Sequence, residues 1–89
     1  MKSFVFEIVL PDAAGMSFEA TSVTLNTRAG QITVLAGHAD LITLTVKGRI
    51  TVRTAAGEQV SVDADAGMLY VNGGNAKLLA DSARSADDR

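Results

Sequence analysis

The chain contains no cysteine and no tryptophan. Disulfide staples, thiolate zinc sites and cysteine nucleophiles are therefore excluded, and the lack of thiols suits a reducing compartment. His38 is the only histidine and Pro11 the only proline. One imidazole among scattered carboxylates does not make a metal ligand set, and no metal or other cofactor is expected. The aromatics are Phe4, Phe6, Phe18 and Tyr70, too few and too scattered to stack successive bases of a nucleic acid. Acidic residues outnumber basic ones, 10 to 8, for a net charge of −2. That balance denies the chain the basic field of a polyanion binder. No apolar run approaches the roughly 18 residues of a membrane-spanning helix. Glu7 stands where a signal peptide would need its apolar segment, so no direct membrane insertion or export is expected.

What remains is a chain of 89 residues, 47% of them apolar and 20% charged. That suffices for one folded core and excludes wholesale disorder, but leaves no room for a second core.

Alternation dominates the pattern. Phe4, Phe6, Ile8 and Leu10 fall on one face of a first strand, with Ser3 and Glu7 on the other. Pro11 stops that strand because it lacks the N–H that a ladder needs. Val23 and Leu25, Ile32 and Val34, and Ile42, Leu44 and Val46 alternate with polar neighbours in the same way. So do Ile50 and Val52, Val60 and Val62, and Leu69 and Val71, with Leu78 following. Such alternation marks strands half-buried against a core. Turn signals separate the runs at Ala14-Gly15, Ala29-Gly30, Lys47-Gly48, Ala56-Gly57, Ala66-Gly67 and Asn72-Gly73-Gly74-Asn75. There glycine is expected to supply positive φ for tight hairpins. Short strands at this spacing predict an antiparallel sandwich or barrel. The best helical stretch, 79–86, is too short to be stable alone. From Ser82 to Arg89 the composition turns small and polar, so a β domain over 1–81 and a loose tail over 82–89 are expected.

Little here carries chemistry. His38, in the loop Ala36-Gly37-His38-Ala39-Asp40, would be a general base oriented by Asp40 in a hydrolase reading. No Ser or Thr is marked as its nucleophile. The bland alternative is a loop histidine that bonds backbone or touches a partner. Asp63 and Asp65 alternate as calcium-loop acids do, but the closing Glu of such a loop is missing, which leaves a solvated turn. Gly73-Gly74 lacks the Lys and the helix of a phosphate loop. Arg49 and Arg53 share one face of a strand, as charges on an outer strand commonly do.

The stretch Gly30-Gln31-Ile32-Thr33-Val34-Leu35-Ala36-Gly37-His38-Ala39-Asp40-Leu41 resembles the signature of the epsilon subunit of F-type ATP synthases. Four further segments fall in the same order as in that family. They are Phe6-Glu7-Ile8-Val9-Leu10-Pro11, Lys47-Gly48-Arg49-Ile50-Thr51-Val52, Ala66-Gly67-Met68-Leu69-Tyr70-Val71 and Asn75-Ala76-Lys77-Leu78-Leu79-Ala80-Asp81-Ser82-Ala83. Ala36 and Asp40 replace prolines that usually flank Gly-His-Ala, which leaves the loop less stiffened. Gln31 and Ala66 also depart from the usual acidic residue and glycine.

The resemblance implies a β-sandwich of about ten antiparallel strands. It implies a non-catalytic rotor subunit that docks on the gamma subunit and the c-ring and couples ion-driven rotation to ATP synthesis. It has no substrate of its own and sits peripherally on the cytoplasmic face of the bacterial inner membrane. By the same resemblance Ala29, Gly30 and Gln31 face the c-ring. His38, Ala39, Asp40, Leu41, Ile42 and Thr43 face gamma or its junction with the ring. If the loops on either side of the Ile32–Val34 strand lie at one end of the sandwich, they form one contact surface, with Asp40 accepting a hydrogen bond from a partner's Lys or Arg. Family members continue into a C-terminal helical hairpin that regulates hydrolysis. The sequence in hand stops at Arg89, so none of the hairpin's functions is expected of it. The competing reading is a self-sufficient β-sandwich adaptor or small-ligand module.

Overall fold

A computed structural model describes residues 2–86. Every regular element among them is a strand: β1 (Phe4–Val9), β2 (Met16–Thr27), β3 (Gly30–Leu35), β4 (Leu41–Thr45), β5 (Gly48–Thr54), β6 (Gln59–Ala64), β7 (Gly67–Asn72), β8 (Asn75–Ala80) and β9 (Ala83–Ser85). That is nine strands where about ten were expected. The pairing runs β1-β8-β7-β4-β2-β5-β6-β9, with β3 on β2 and a further pairing between β1 and β2.

The long β2 makes two layers out of this one ladder. Its first half, Met16 to Ala20, pairs β1, and its second half, from Ser22 on, pairs both β3 and β5. A register shift between Ala20 and Ser22 marks the bend, as bulges do where a strand changes sheets. One layer is β4-β7-β8-β1 and the other β3-β2-β5-β6-β9. Alternation sends Phe6, Ile8, Leu69 and Leu78 from the first layer into the same core as Val23, Val34, Val52 and Val62 from the second. Phe18 packs against this core, its ring 6.4 Å from that of Phe6 and inclined by 19°.

The sheet is not wholly antiparallel. β1 runs parallel to β8, with Phe6 opposite Ala76 and Ile8 opposite Leu78. The Val5 N–H also donates to Asn75 Oδ1 at 3.1 Å, across 70 residues of sequence. The β domain also extends beyond residue 81. The 79–86 stretch is not helical: Leu79 and Ala80 end β8, and Ala83–Ser85 forms β9 against β6. Ala76, Leu78 and Ala80 are all buried while the residues between them are exposed, so period two prevails where a helix was the candidate. The rest of the expected tail, residues 87–89, lies outside the described residues.

Two threonines are buried with their hydroxyls bonded. Thr27 Oγ1 donates to the Gly30 carbonyl at 2.7 Å and accepts the Ala29 N–H at 3.1 Å, which closes the β2–β3 turn. Thr45 Oγ1 accepts the Gly67 N–H at 3.0 Å. Thr27→Val keeps the shape and removes both turn bonds. The expected cost is about 1–3 kcal/mol, read as a lower urea midpoint at unchanged slope. An unshifted midpoint would mean that the turn holds without its hydroxyl.

Candidate functional site

The residues singled out in the sequence fall into two groups that the fold keeps apart. Ala29 lies in the β2–β3 turn and Gly30 and Gln31 open β3, with Gly30 at a φ of 124°. His38, Ala39 and Asp40 lie in the β3–β4 loop, at the far end of β3. Gly30 and Leu35 are separated by the length of that strand, about 17 Å at the usual rise per residue. The expectation of a single contact surface formed by both loops is therefore corrected: loops that flank one extended strand lie at its opposite ends. Leu41, Ile42 and Thr43 start β4, which runs back until Thr45 pairs with Thr27.

The β3–β4 loop is bonded to the chain itself. The His38 N–H donates to the Leu35 carbonyl at 3.0 Å. Nδ1 of His38 lies 2.7 Å from the Ala39 carbonyl oxygen, which makes Nδ1 the protonated nitrogen. Asp40 Oδ1 accepts the Gly73 N–H at 3.1 Å. Asp40 thus ties its loop to the β7–β8 turn and does not orient His38, and no hydroxyl among the described residues hydrogen-bonds the imidazole. The hydrolase reading has neither of the contacts it requires. Asp63 bonds Arg49 at 3.1 Å and Asp65 accepts the Ser82 hydroxyl at 2.9 Å, so these two acids serve different partners.

The more informative arrangement is one that alternation alone reads the wrong way round. In β4 the expected inner residues are Ile42 and Leu44. The structure buries Thr45 and half-buries Thr43, and it leaves Ile42 66% and Leu44 43% exposed. The inversion is tolerated because the Thr45 hydroxyl is satisfied by Gly67 inside. It also gives Ile42 and Leu44 apolar neighbours outside. Register places Leu44 opposite Met68, Met68 opposite Leu79, and Leu79 beside Val9. A second row runs from Ile42 to Tyr70, Lys77 and Glu7. The outer face of the β4-β7-β8-β1 layer is therefore largely apolar across four strands.

The other layer presents the opposite chemistry. Its outer face carries Thr33, Thr24, Thr51 and Ser61 in register across β3, β2, β5 and β6. Thr24 and Thr33 share a hydroxyl contact of 3.0 Å, and Arg49 and Asp63 lie alongside. One face is built for water. The other exposes contiguous apolar side chains, which in a small domain marks a surface that a partner covers. Of the nine residues singled out in the sequence only Ile42 belongs to this face. Leu44, Leu79, Val5, Val9, Met68 and Tyr70 were missed. Their signal was present: β1 and β8 carry apolar residues at both parities (Val5 and Val9 among Phe4, Phe6 and Ile8; Leu79 after Leu78), the pattern of strands covered on both faces.

Comparison with known proteins gives the family and the fold. The sequence profile described as ATP synthase, Delta/Epsilon chain, beta-sandwich domain, matches residues 3–86. The ATP synthase epsilon chain of Agrobacterium fabrum is 37% identical over 86 residues, covering 97% of this chain and 63% of that one. The epsilon chain of Sinorhizobium fredii is 35% identical over 86 residues, covering 97% and 64%. The chain thus spans just under two thirds of the length of these relatives. A chain in the Euglena gracilis mitochondrial ATP synthase structure with OSCP, F1 and c-ring superimposes with a TM-score of 0.87 at 19% identity, covering 98% of this chain and 56% of that one. One in the central stalk and c-ring of the Tetrahymena thermophila enzyme gives 0.75 at 11% identity, covering 98% and 73%. At those identities the likeness is one of fold.

Proposed function

Because the chain belongs to the family of ATP synthase delta/epsilon β-sandwich domains, we propose that it serves as a non-catalytic rotor subunit of an F-type ATP synthase. It docks on the gamma subunit and the c-ring and helps couple ion-driven rotation to ATP synthesis. The observation that carries this reading is the outer face of β4-β7-β8-β1. Ile42, Leu44 and Leu79 point away from the core there, at a site where only a partner can remove them from water.

Torque transmission needs an interface that does not slip. Shape-matched apolar anchors supply that better than exposed ion pairs, each worth about 1 kcal/mol or less. In this reading gamma covers the apolar face and reaches the adjoining loop at His38, Ala39, Asp40 and Leu41, with Thr43 half-buried beneath it. Ala29, Gly30 and Gln31, where the β2–β3 turn enters β3, meet the ring. Two separated contacts suit a domain held between two partners. The domain would sit peripherally on the cytoplasmic face of a bacterial inner membrane, as part of the complex.

The test is recovery of the tagged chain from native membranes in mild detergent, with co-purifying proteins identified by mass spectrometry. Gamma, alpha, beta and c subunits in stoichiometric amounts are the expected result. Recovery of the chain alone would overturn the rotor reading in favour of a self-sufficient adaptor.

A further inference from the structure

The apolar face has a charged margin. The Arg28 N–H donates to the Leu44 carbonyl at 3.1 Å, and the Val46 N–H donates to the Asn26 carbonyl at 3.2 Å. These two bonds stitch the β2–β3 turn to the β4–β5 connection. They place Arg28 and Lys47 along one open groove whose apolar lining is Leu44, Val46, Met68 and Leu79. Both cations are exposed, and neither has an ion-pair or side-chain hydrogen-bond partner among the described residues. Arg53 by contrast bonds Gln59 at 3.1 Å. Lys47 also borders the cleft that holds Asp63 and Asp65, but those carboxylates take Arg49 and the Ser82 hydroxyl. A chain with a net charge of −2 thus keeps two unpaired cations along one groove at the end of its apolar face.

We propose that this groove receives a segment of a partner protein in which a carboxylate adjoins an apolar anchor, the anchor lying on Leu44, Val46, Met68 and Leu79 and the carboxylate held between Arg28 and Lys47. The guanidinium offers a planar fork to two carboxylate oxygens, and the ammonium adds a mobile point charge. Both cations are exposed, so their attraction for the anion is screened by salt and strengthens as the occupant's apolar anchor displaces water from the floor. The apolar lining selects the occupant: a free anion would leave the floor wet, and the groove has no aromatic side chain on which a nucleic-acid base would stack. The groove is continuous with the face assigned above to docking. That the partner is a stalk or ring subunit rests on the proposed function; the chemistry of the segment does not.

The experiment compares the wild type with Arg28→Glu/Lys47→Glu and with the charge-preserving Arg28→Lys/Lys47→Arg. Each is bound to a purified central stalk with its c-ring, stripped of this subunit, in low and high salt. The charge reversal is expected to weaken binding about tenfold or more at low salt and to invert its salt dependence, because salt then screens a repulsion, while the charge-preserving pair keeps the affinity and salt dependence of the wild type. Equal affinity of the reversed variant would overturn the proposal. So would wild-type binding to phosphatidylglycerol vesicles that matches its binding to the stalk and is lost on reversal, because the cations would then be reading lipid headgroups.

A second measurement separates the groove from the rotor reading. Amide shifts are followed on titration with a short peptide carrying Glu between leucines, and with its Gln counterpart. Perturbation at Arg28, Leu44 and Lys47 by the Glu peptide alone supports the groove even if the stalk does not bind. If the stalk does not bind, equal response to both peptides, or to neither, overturns the proposal.

Discussion

Replacing Ile42 and Leu79 together by Asp is expected to abolish capture of the central stalk while leaving the domain folded. Ile42 is 66% and Leu79 40% exposed, so the isolated domain loses only part of their burial. Asp is also a poor strand residue, so stability should fall by about 1–2 kcal/mol, which a folded domain tolerates. In the assembly the same positions carry carboxylates into a surface that must dehydrate. Loss of one interface anchor commonly costs about 2 kcal/mol or more, roughly 30-fold in affinity, and two unpaired buried charges should take binding below detection. The comparison is Thr33→Asp on the polar face of the opposite layer, which should bind as wild type does. Recovery of the double variant with undiminished stalk subunits, or a Thr33→Asp variant equally defective, would remove the apolar face from the docking role.

The largest expected effect on folding comes from Gly67→Ala. A Cβ at Gly67 would lie on the carbonyl oxygen of Leu79, against the backbone of Leu79 and Ala80. All of those atoms belong to the main chain of β8, and no side chain can swing away. β7 must separate from β8 where Gly67 pairs with Ala80, which also pulls the Gly67 N–H from the buried Thr45 hydroxyl. Overpacking of about 1–3 kcal/mol adds to a lost buried hydrogen bond of similar size. A total near 3 kcal/mol lowers the Tm of so small a domain by on the order of 15 °C. Gly57→Ala is the instructive contrast. Its φ of 90° is strained for alanine, but nothing lies within 4 Å of the added methyl. Backbone strain alone costs about 1–2 kcal/mol there. A Gly67→Ala protein that melts no lower than Gly57→Ala would contradict the steric argument.

These two positions also mark how far the sequence can be read. Gly67 was legible as a break between strands, but not for its reason. Turn glycines are recognised by their tolerance of positive φ, and Gly57, Gly73 and Gly74 fit that reading. Gly67 does not have a positive φ. Its requirement is the close passage of another strand, which no local pattern contains. β4 is a similar case. The order Leu-Ile-Thr-Leu-Thr tells that Ile42 and Leu44 share a face, and alternation alone cannot say which face is inner. The rule that the apolar side goes inward holds for β1, where Phe4, Phe6 and Ile8 are buried, and fails for β4 because the exterior there is apolar too. The family resemblance brought attention to His38 through Thr43, of which Ile42 lies on the apolar outer face, whereas Leu79 and Val9 reach that face only through the β7–β8 and β1–β8 pairings. The separation of the two loops, by contrast, was available in principle. A six-residue strand between them already fixes their distance.

The parallel contact of β1 with β8 sets the order in which this domain is made. A chain leaving the ribosome can pair β1 with β2 early, but the other edge of β1 waits for Ala76 to Leu79 to emerge. Until then Phe6 and Ile8 lack the cover of Leu78, and the β4-β7-β8-β1 layer does not exist. Closing a loop of that length is slow and is rewarded only at the end, in the millisecond-to-second regime typical of non-local sheets. Fragments that stop short of Asn75 should remain open and adhesive. The apolar outer face and the folded state therefore arrive together, and an immature chain does not yet present that face.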